Sequence, residues 1–312
     1  AQDRGVEVKV LLDGIGEYYS FHKASTLLER RGVPAARFLP PRFLPPSIFV
    51  NLRNHRKLLL VDNKISFAGG MNIGDNHTAI EGKERSVSDM HFRFRGAIVD
   101  DMVQLFYHDW SFTTRSKTVP PRRSNVASEG EMQCRLVPDG PSEELDALAL
   151  TIQTVISAAT KSVRIMTPYF LPNREMIAAL QSAALRGIDV TIVLPHKNNI
   201  SIVHWANRNI LFELLGSGIK VYYQPAPFNH SKLLCIDDSY SLIGSYNLDP
   251  RSLRLNFELG IEIFSPRFNA ELTEHFTRTV AISDALLLPE LANRRVVTRL
   301  RDSIAALFAP YL

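Results

Sequence analysis

Asn54-His55-Arg56-Lys57-Leu58-Leu59-Leu60-Val61-Asp62 is echoed later in the same chain by Asn229-His230-Ser231-Lys232-Leu233-Leu234-Cys235-Ile236-Asp237. The offset is 175 (230 − 55), and at that offset Ser66 falls on Ser241, Gly69 on Gly244 and Asn72 on Asn247. Nine of the twenty positions from 54 to 73 are identical without a gap, which identifies a true internal repeat. The repeat extends outward. Arg4-Gly5-Val6-Glu7-Val8-Lys9-Val10-Leu11-Leu12 matches Arg186-Gly187-Ile188-Asp189-Val190-Thr191-Ile192-Val193-Leu194, each reading as a glycine helix stop followed by a buried strand. Helical stretches at Tyr19–Arg31 and Ile200–Leu215 then end near Gly32 and Gly218. From there the first half takes about eleven extra residues to reach its motif, within Pro34–Arg53.

Thr113–Glu131, rich in Arg, Ser and Pro, reads as a linker, and the division expected is residues 1–126 and 127–312. The second half opens with a strand (Gln133–Val137), a helix (Glu143–Thr160), a strand (Val163–Thr167) and a helix (Arg174–Arg186). The first half shows no counterpart, so internal symmetry suggests that roughly fifty residues of the first domain are missing before Ala1. Strands and helices alternate twice over. The fold expected is α/β: two homologous domains, each a mixed β-sheet flanked by helices, related by a pseudo-twofold axis.

The chain has 312 residues, 45% of them hydrophobic, enough to bury a sizeable core. A net charge of +4 favours an anionic partner without choosing among nucleic acid, an acidic membrane and a phosphate-bearing substrate. Cys134 and Cys235 make no disulfide framework; Cys235 lies in an apolar run and reads as a core residue, consistent with a reducing compartment. No apolar run reaches about 18 residues and no signal peptide opens the chain, so neither a membrane-spanning helix nor a leader is expected within it.

Each half carries His-x-Lys-x4-Asp followed by Gly-Gly or Gly-Ser and then Asn: His55, Lys57, Asp62, Gly69-Gly70 and Asn72; His230, Lys232, Asp237, Gly244-Ser245 and Asn247. On a strand, residues i and i+2 share a face, so each His projects with its Lys. A hairpin then brings the Asn alongside. An imidazole beside an ammonium and an amide donor suits a phosphoryl group. In-line displacement at phosphorus benefits from two proton-handling groups on opposite sides. Face-to-face halves would give one imidazole as nucleophile and the other as acid for the leaving alkoxide, with Lys57, Lys232, Asn72, Asn247, Gly70 and Ser245 around the phosphate. No metal is then needed, and no His/Cys cluster shows ligand spacing. Asp89 and Glu258 each precede a strand-like run and are candidates to orient the catalytic histidines. Asp62 and Asp237 are candidates for the site or for a structural role beside it. His22, His77, His91, His108, His196, His204 and His275 lack such company and read as surface or packed residues.

The duplicated motif resembles the phospholipase D superfamily. Bacterial cardiolipin synthases are closely similar at Asn51–Lys57, Gly69–Asp75, Thr167–Phe170, Gly244–Ser252 and Leu307–Leu312. The resemblance implies phosphatidyl transfer making cardiolipin from phosphatidylglycerol or another phospholipid donor, with phospholipids as substrates and no cofactor. It implies His55 as nucleophile, through a phosphohistidine, and His230 as general acid and base. It also implies a place at the bacterial cytoplasmic membrane, peripheral or held by upstream segments such as the longer family members carry. A phosphodiesterase hydrolysing lipid or nucleic acid and an inactive fragment are the alternatives. No aromatic-and-basic groove for strand stacking is evident, so nucleic acid is not expected as a partner. Arg37–Phe49 reads as a proline-stiffened loop or a membrane-touching element. Asn293–Phe308 reads as an amphipathic helix capping its domain.

Overall fold

The computed structural model describes residues 1–19, 21–41, 51–78, 86–121, 130–141 and 146–309. The first half runs β1 (Val10–Asp13), α1 (Ala24–Arg30), β2 (Ala35–Phe38), β3 (Arg53–Asn54), β4 (Leu58–Val61), β5 (Ile65–Gly69), β6 (Val87–Ser88), β7 (His91–Phe94) and α2 (Ile98–Thr114). The second opens with β8 (Gln133–Asp139), α3 (Ala147–Ala158), β9 (Ser162–Met166), α4 (Arg174–Leu185), β10 (Asp189–Pro195), α5 (Ser201–Gly216) and β11 (Lys220–Gln224). It continues through β12 (Phe228–Asn229), β13 (Leu233–Ile236), β14 (Tyr240–Gly244), α6 (Pro250–Arg254), β15 (Asn256–Phe264), α7 (Pro266–Ala281), β16 (Asp284–Ala285), α8 (Leu288–Ala292) and α9 (Val296–Leu307).

Local chemistry explains the boundaries. Gly5, Gly32, Gly187 and Gly218 all take left-handed φ, so the expected glycine stops are real. Asn173, Asp249 and Ser265 cap α4, α6 and α7 through their side chains, and Pro250 and Pro266 occupy first-turn positions where no N–H is needed. The expected helix at Tyr19–Arg31 is shorter: a 3₁₀ turn at Gly16–Tyr19 precedes α1. The Pro-rich stretch beyond Pro41, the middle of the expected linker and the last three residues lie outside the described residues.

The second-half sheet runs β16-β11-β10-β9-β13-β14-β15, with β8 against β15. It is mixed, as expected: β9 is parallel to β10 and antiparallel to β13. One face packs on α3, α4 and α5. The other faces the first half, where Met166, Leu233, Ile243 and Ile261 share a core with Ala68, Phe94, Val99 and Met102. The helices α2 and α7, which follow equivalent strands, both contribute to this shared core.

The first half repeats the second with one position open. β1 and β2 correspond to β10 and β11, and β4, β5 and β7 to β13, β14 and β15, yet they form separate sheets, β1-β2 and β4-β5-β7. Where β9 stands between β10 and β13, no strand of the described residues stands between β1 and β4. Leu59 and Val61 of β4 are 54% and 39% exposed, whereas their repeat partners Leu234 and Ile236 are 3% and 5% exposed.

The C-terminal helix caps its domain, but through a largely polar inner face. α9 lies on α5 through Ala305 and Asp302, the latter fully buried among Arg294, Arg208 and Arg301. Arg301 also covers the Trp205 ring at 4.6 Å. This ion-pair cluster takes the inner face, so Val296, Val297, Leu300, Ile304 and Leu307 point to solvent. Among the described residues no helix is long and apolar enough to cross a membrane.

The open position yields a direct expectation. Ladder groups without a neighbour exchange through small local openings. Amide hydrogen exchange in β1 and β4 should run on the order of tenfold or more faster than in β10 and β13. Equal protection would show that the open edge is covered in solution.

Candidate active site

Each motif histidine is delivered by a short strand that joins the opposite half. β3 pairs in parallel with the start of β15, and the His55 amide donates to the Phe257 carbonyl at 2.9 Å. β12 pairs in parallel with β6, and the His230 amide donates to the Ser88 carbonyl at 2.7 Å. In both cases the residue after the accepting carbonyl is the orienting carboxylate. Its side chain therefore reaches the histidine of the other half. Glu258 lies 2.9 and 3.0 Å from His55 Nδ1 through its two oxygens, and Asp89 Oδ2 lies 2.8 Å from His230 Nδ1. The sequence singled out both carboxylates; their exchange between halves could not be read from spacing.

The rest of the site is near-symmetric. Lys57 Nζ donates to the His55 carbonyl at 2.7 Å, and Lys232 Nζ to the His230 carbonyl at 2.6 Å. Each lysine is thus held beside its own histidine, and the charges of both act on His230 and His55. With Nδ1 held by a carboxylate, each ring leaves Nε2 for other chemistry. The His55 ring is the more open, with 27% of its side chain exposed against 10% for His230.

Burial governs the electrostatics. It disfavours the imidazolium of His55, reinforced by Lys57 and Lys232 and opposed by Glu258. For His230 burial acts in the same direction, and Lys232, Lys57 and His55 add to it, so its pKa falls far below the usual range. Burial lowers Lys57 to about 8 and Lys232 to about 7, against the attraction of Glu258 and Asp89. Burial alone would raise Glu258. His55, Lys57 and the Ser245 hydroxyl outweigh it and bring the carboxyl to about 2. Asp89 is raised by burial, partly offset by Lys232.

Several candidates stand elsewhere than the sequence suggested. Ser245, expected at the phosphate, donates to Glu258 Oε2 at 2.5 Å and accepts from the Leu259 amide; its hydroxyl fixes the carboxylate. Gly70, its repeat partner, has no side chain because Asp89 fills that space: a Cβ there would sit 2.4 Å from Asp89 Oδ1. Asp237 follows the far end of β13, where it accepts from Thr160, Lys161 and Ser162 amides and clamps the hairpin. Asp62 is exposed at the matching turn. Both are structural positions, one strand length from the imidazoles. Asn247 is buried with Oδ1 unpaired, whereas Asn72 is exposed and approaches His77.

Sequence reasoning missed three contributors. Arg56, between His55 and Lys57, forms a buried pair with Asp109 of α2 and donates to the Glu258 and Asp139 carbonyls, tying the halves together behind the site. Ser252 donates to Glu258 Oε1 at 2.5 Å. His77 enters from the first half, its ring edge-on to His230 with centroids 5.6 Å apart. His77, Asp89 and His230 also bring potential metal-ligand atoms within 4.8 Å of one another, a grouping that no sequence spacing reveals.

The family model described as cardiolipin synthase, PLD-like domain, matches residues 1–110 and 152–280. The major cardiolipin synthase ClsA of Bacillus subtilis is 31% identical over 99% of this chain and 64% of its own length. A cardiolipin synthase of Staphylococcus aureus is 33% identical over 99% of this chain and 63% of its own length. The chain therefore spans a little under two thirds of these relatives. In fold, the phosphatidylserine synthase of Haemophilus influenzae superposes with a TM-score of 0.73 and 17% identity, over 98% of this chain and 83% of that one. Two matched histidine–lysine half-sites, each completed by a carboxylate of the other half, and a family match over most of the chain lead to one conclusion: the chain belongs to the cardiolipin synthase family of phospholipase D-like domains.

Proposed function

We propose that the chain is a phosphatidyltransferase that makes cardiolipin from two molecules of phosphatidylglycerol through a phosphohistidine. The observation that carries this reading is the exchange of carboxylates, which holds each imidazole on a carboxylate of the other half while the charges of both lysines act on both rings. His55 Nε2 attacks phosphorus and the bond to the glycerol oxygen breaks, His230 protonating that oxygen. A hydroxyl of a second phosphatidylglycerol then attacks the phosphohistidine, giving its proton to His230. Lys57, Lys232, Asn72 and Asn247 carry the phosphoryl charge. His230 resists protonation in the free protein because it is buried and two lysines act on it. An arriving phosphodiester anion offsets them, so substrate supplies the charge that lets the acid hold its proton.

Incubation with phosphatidylglycerol vesicles followed by lipid mass spectrometry tests the reading. Cardiolipin and free glycerol are expected; phosphatidic acid as the sole product would establish hydrolysis instead. His55→Ala should abolish the trapped phosphoenzyme. His230→Ala should slow phospholipid turnover by about 10²–10⁴-fold while still labelling His55 from an ester with a good leaving group.

The pH profile follows from the site. His55 must be neutral to attack, and its pKa lies below the ordinary 6.5, so the acid limb of kcat/KM falls below that value. Lysines bind phosphate only when protonated, and their lowered values are about 7 and about 8. Charge is thus present below pH 7 and lost as pH rises through this window, giving an alkaline limb there. Lys232→Arg should move that limb upward, because guanidinium stays charged. An unchanged limb would remove Lys232 from phosphate binding.

The outward apolar face of α9, with exposed Arg295 and Arg299 beside it, fits an anionic bilayer surface. Ala309, just beyond this helix, packs in the cluster that contains Tyr169, whose carbonyl accepts from the amide of Leu248, next to Asn247. Replacing Val297 and Leu300 by Glu should weaken sedimentation with phosphatidylglycerol-containing vesicles by about tenfold, with the melting temperature unchanged. Undiminished binding would place the membrane contact elsewhere.

A further inference from the structure

His77 belongs to neither repeat motif, yet it stands against the catalytic pair of the opposite half. Its side chain is 11% exposed. Its Nδ1 lies 3.7 Å from Asp89 Oδ2, the oxygen that accepts from His230 Nδ1 at 2.8 Å. Its Nε2 lies 3.5 Å from Asn72 Nδ2. An amide nitrogen only donates, so Nε2 is the acceptor, and the proton of the neutral ring sits on Nδ1, facing Asp89. The charged groups acting on His77 are Asp89, Lys232 and Lys57, and burial favours its neutral form. Among the described residues Nδ1 has no partner at hydrogen-bond distance, and a shift under about 1 Å would bring it to Asp89.

The internal repeat gives this position a meaning. At the motif offset of 175, His77 falls on Ser252. The Ser252 hydroxyl accepts from the Asn247 amide at 2.8 Å and donates to Glu258 Oε1 at 2.5 Å. In the second half this position links the motif asparagine to the carboxylate that orients the opposite histidine; in the first half His77 occupies it, between Asn72 Nδ2 at 3.5 Å and Asp89 Oδ2 at 3.7 Å. Glu258 has further donors in Ser245 and Asn256. Asp89 lacks the first, because its repeat position is Gly70, and the Met90 amide reaches only its Oδ1, at 2.8 Å. His77 is the side chain placed to steady Oδ2 alongside His230.

We propose that His77 is a positioning residue, which fixes Asp89 so that His230 keeps its proton on Nδ1 and presents Nε2 to the leaving oxygen. The assignment rests on the role of His230 given above. The experiment combines two substrates, three variants and a measurement independent of turnover. His77→Ala should lower kcat with phosphatidylglycerol by about tenfold at nearly constant KM. With bis(4-nitrophenyl) phosphate, whose leaving group needs no proton, the loss should stay within about twofold. His77→Asn, which keeps a donor where Nδ1 stood, should recover most of the rate; His77→Gln, whose amide reaches the Nε2 position, should not. If His77→Ala fails to fold, the Asn–Gln contrast carries the same test. In ¹⁵N-histidine NMR, the His230 Nδ1–H signal should persist in the wild type and His77→Asn and be lost to solvent exchange in His77→Ala or His77→Gln. Equal slowing of both esters, or a His230 signal indifferent to every substitution, overturns the proposal. If His230→Ala itself slows both esters alike, the acid assignment falls, and the NMR signal alone decides on His77.

Discussion

The structure turns on a pair of reciprocal backbone hydrogen bonds, His55 N–H to Phe257 and His230 N–H to Ser88. Each attaches the strand that carries a histidine to the strand that carries the other half's carboxylate. Because Glu258 and Asp89 immediately follow the accepting residues, the backbone register alone sets the carboxylate beside the ring. The shared apolar core beneath, from Ala68 and Phe94 to Leu233 and Ile261, holds the two halves at the distance this register needs. Arg56, threading between the halves to Asp109, Asp139 and Glu258, fixes the rear of the arrangement.

The same arrangement solves an electrostatic problem. Two ammonium groups buried close together are costly, since neither is fully hydrated. Glu258, fully buried and ionised, and Asp89 bring compensating charge to them. The depressed lysines and the reluctant His230 describe a site short of negative charge. The two halves are not electrostatic copies. Glu258 draws on Ser245, Ser252 and Asn256, while Asp89 accepts from the Met90 amide and from His230, with His77 Nδ1 3.7 Å away.

Much of this was legible in the sequence because the repeat is strong where the chemistry is. His55, Lys57, His230 and Lys232 follow from the matched motif, and the two-domain α/β class follows from the repeat. Even the open position between β1 and β4 is foreshadowed by the absence of a first-half counterpart to Val163–Thr167. What stayed hidden was long-range. Glu258 lies 203 residues from His55 and Asp89 lies 141 from His230, and no local pattern says which carboxylate faces which ring. Asp62 and Asp237 share the motif without sharing the pocket, because a four-residue strand separates them from the imidazoles. Ser245 reads as a phosphate ligand until the fold places Glu258 against it. His77 has no motif of its own; its one sequence signal is its match to Ser252, which matters only once Ser252 is seen on Glu258. The outward turn of the apolar face of α9 was hidden for a different reason: a buried cluster of one aspartate and three arginines takes the inner face.

The crossed carboxylates also act as an interlock on assembly. While the chain is being made, its first half holds His55 with no Glu258, and later elements hold His230 that must reach back to Asp89. Neither half alone possesses an aimed imidazole, so a partly folded chain carries each ring without the carboxylate that orients it. The paired site arises only when the two halves close on each other, and unfolding either one parts both histidines from their carboxylates.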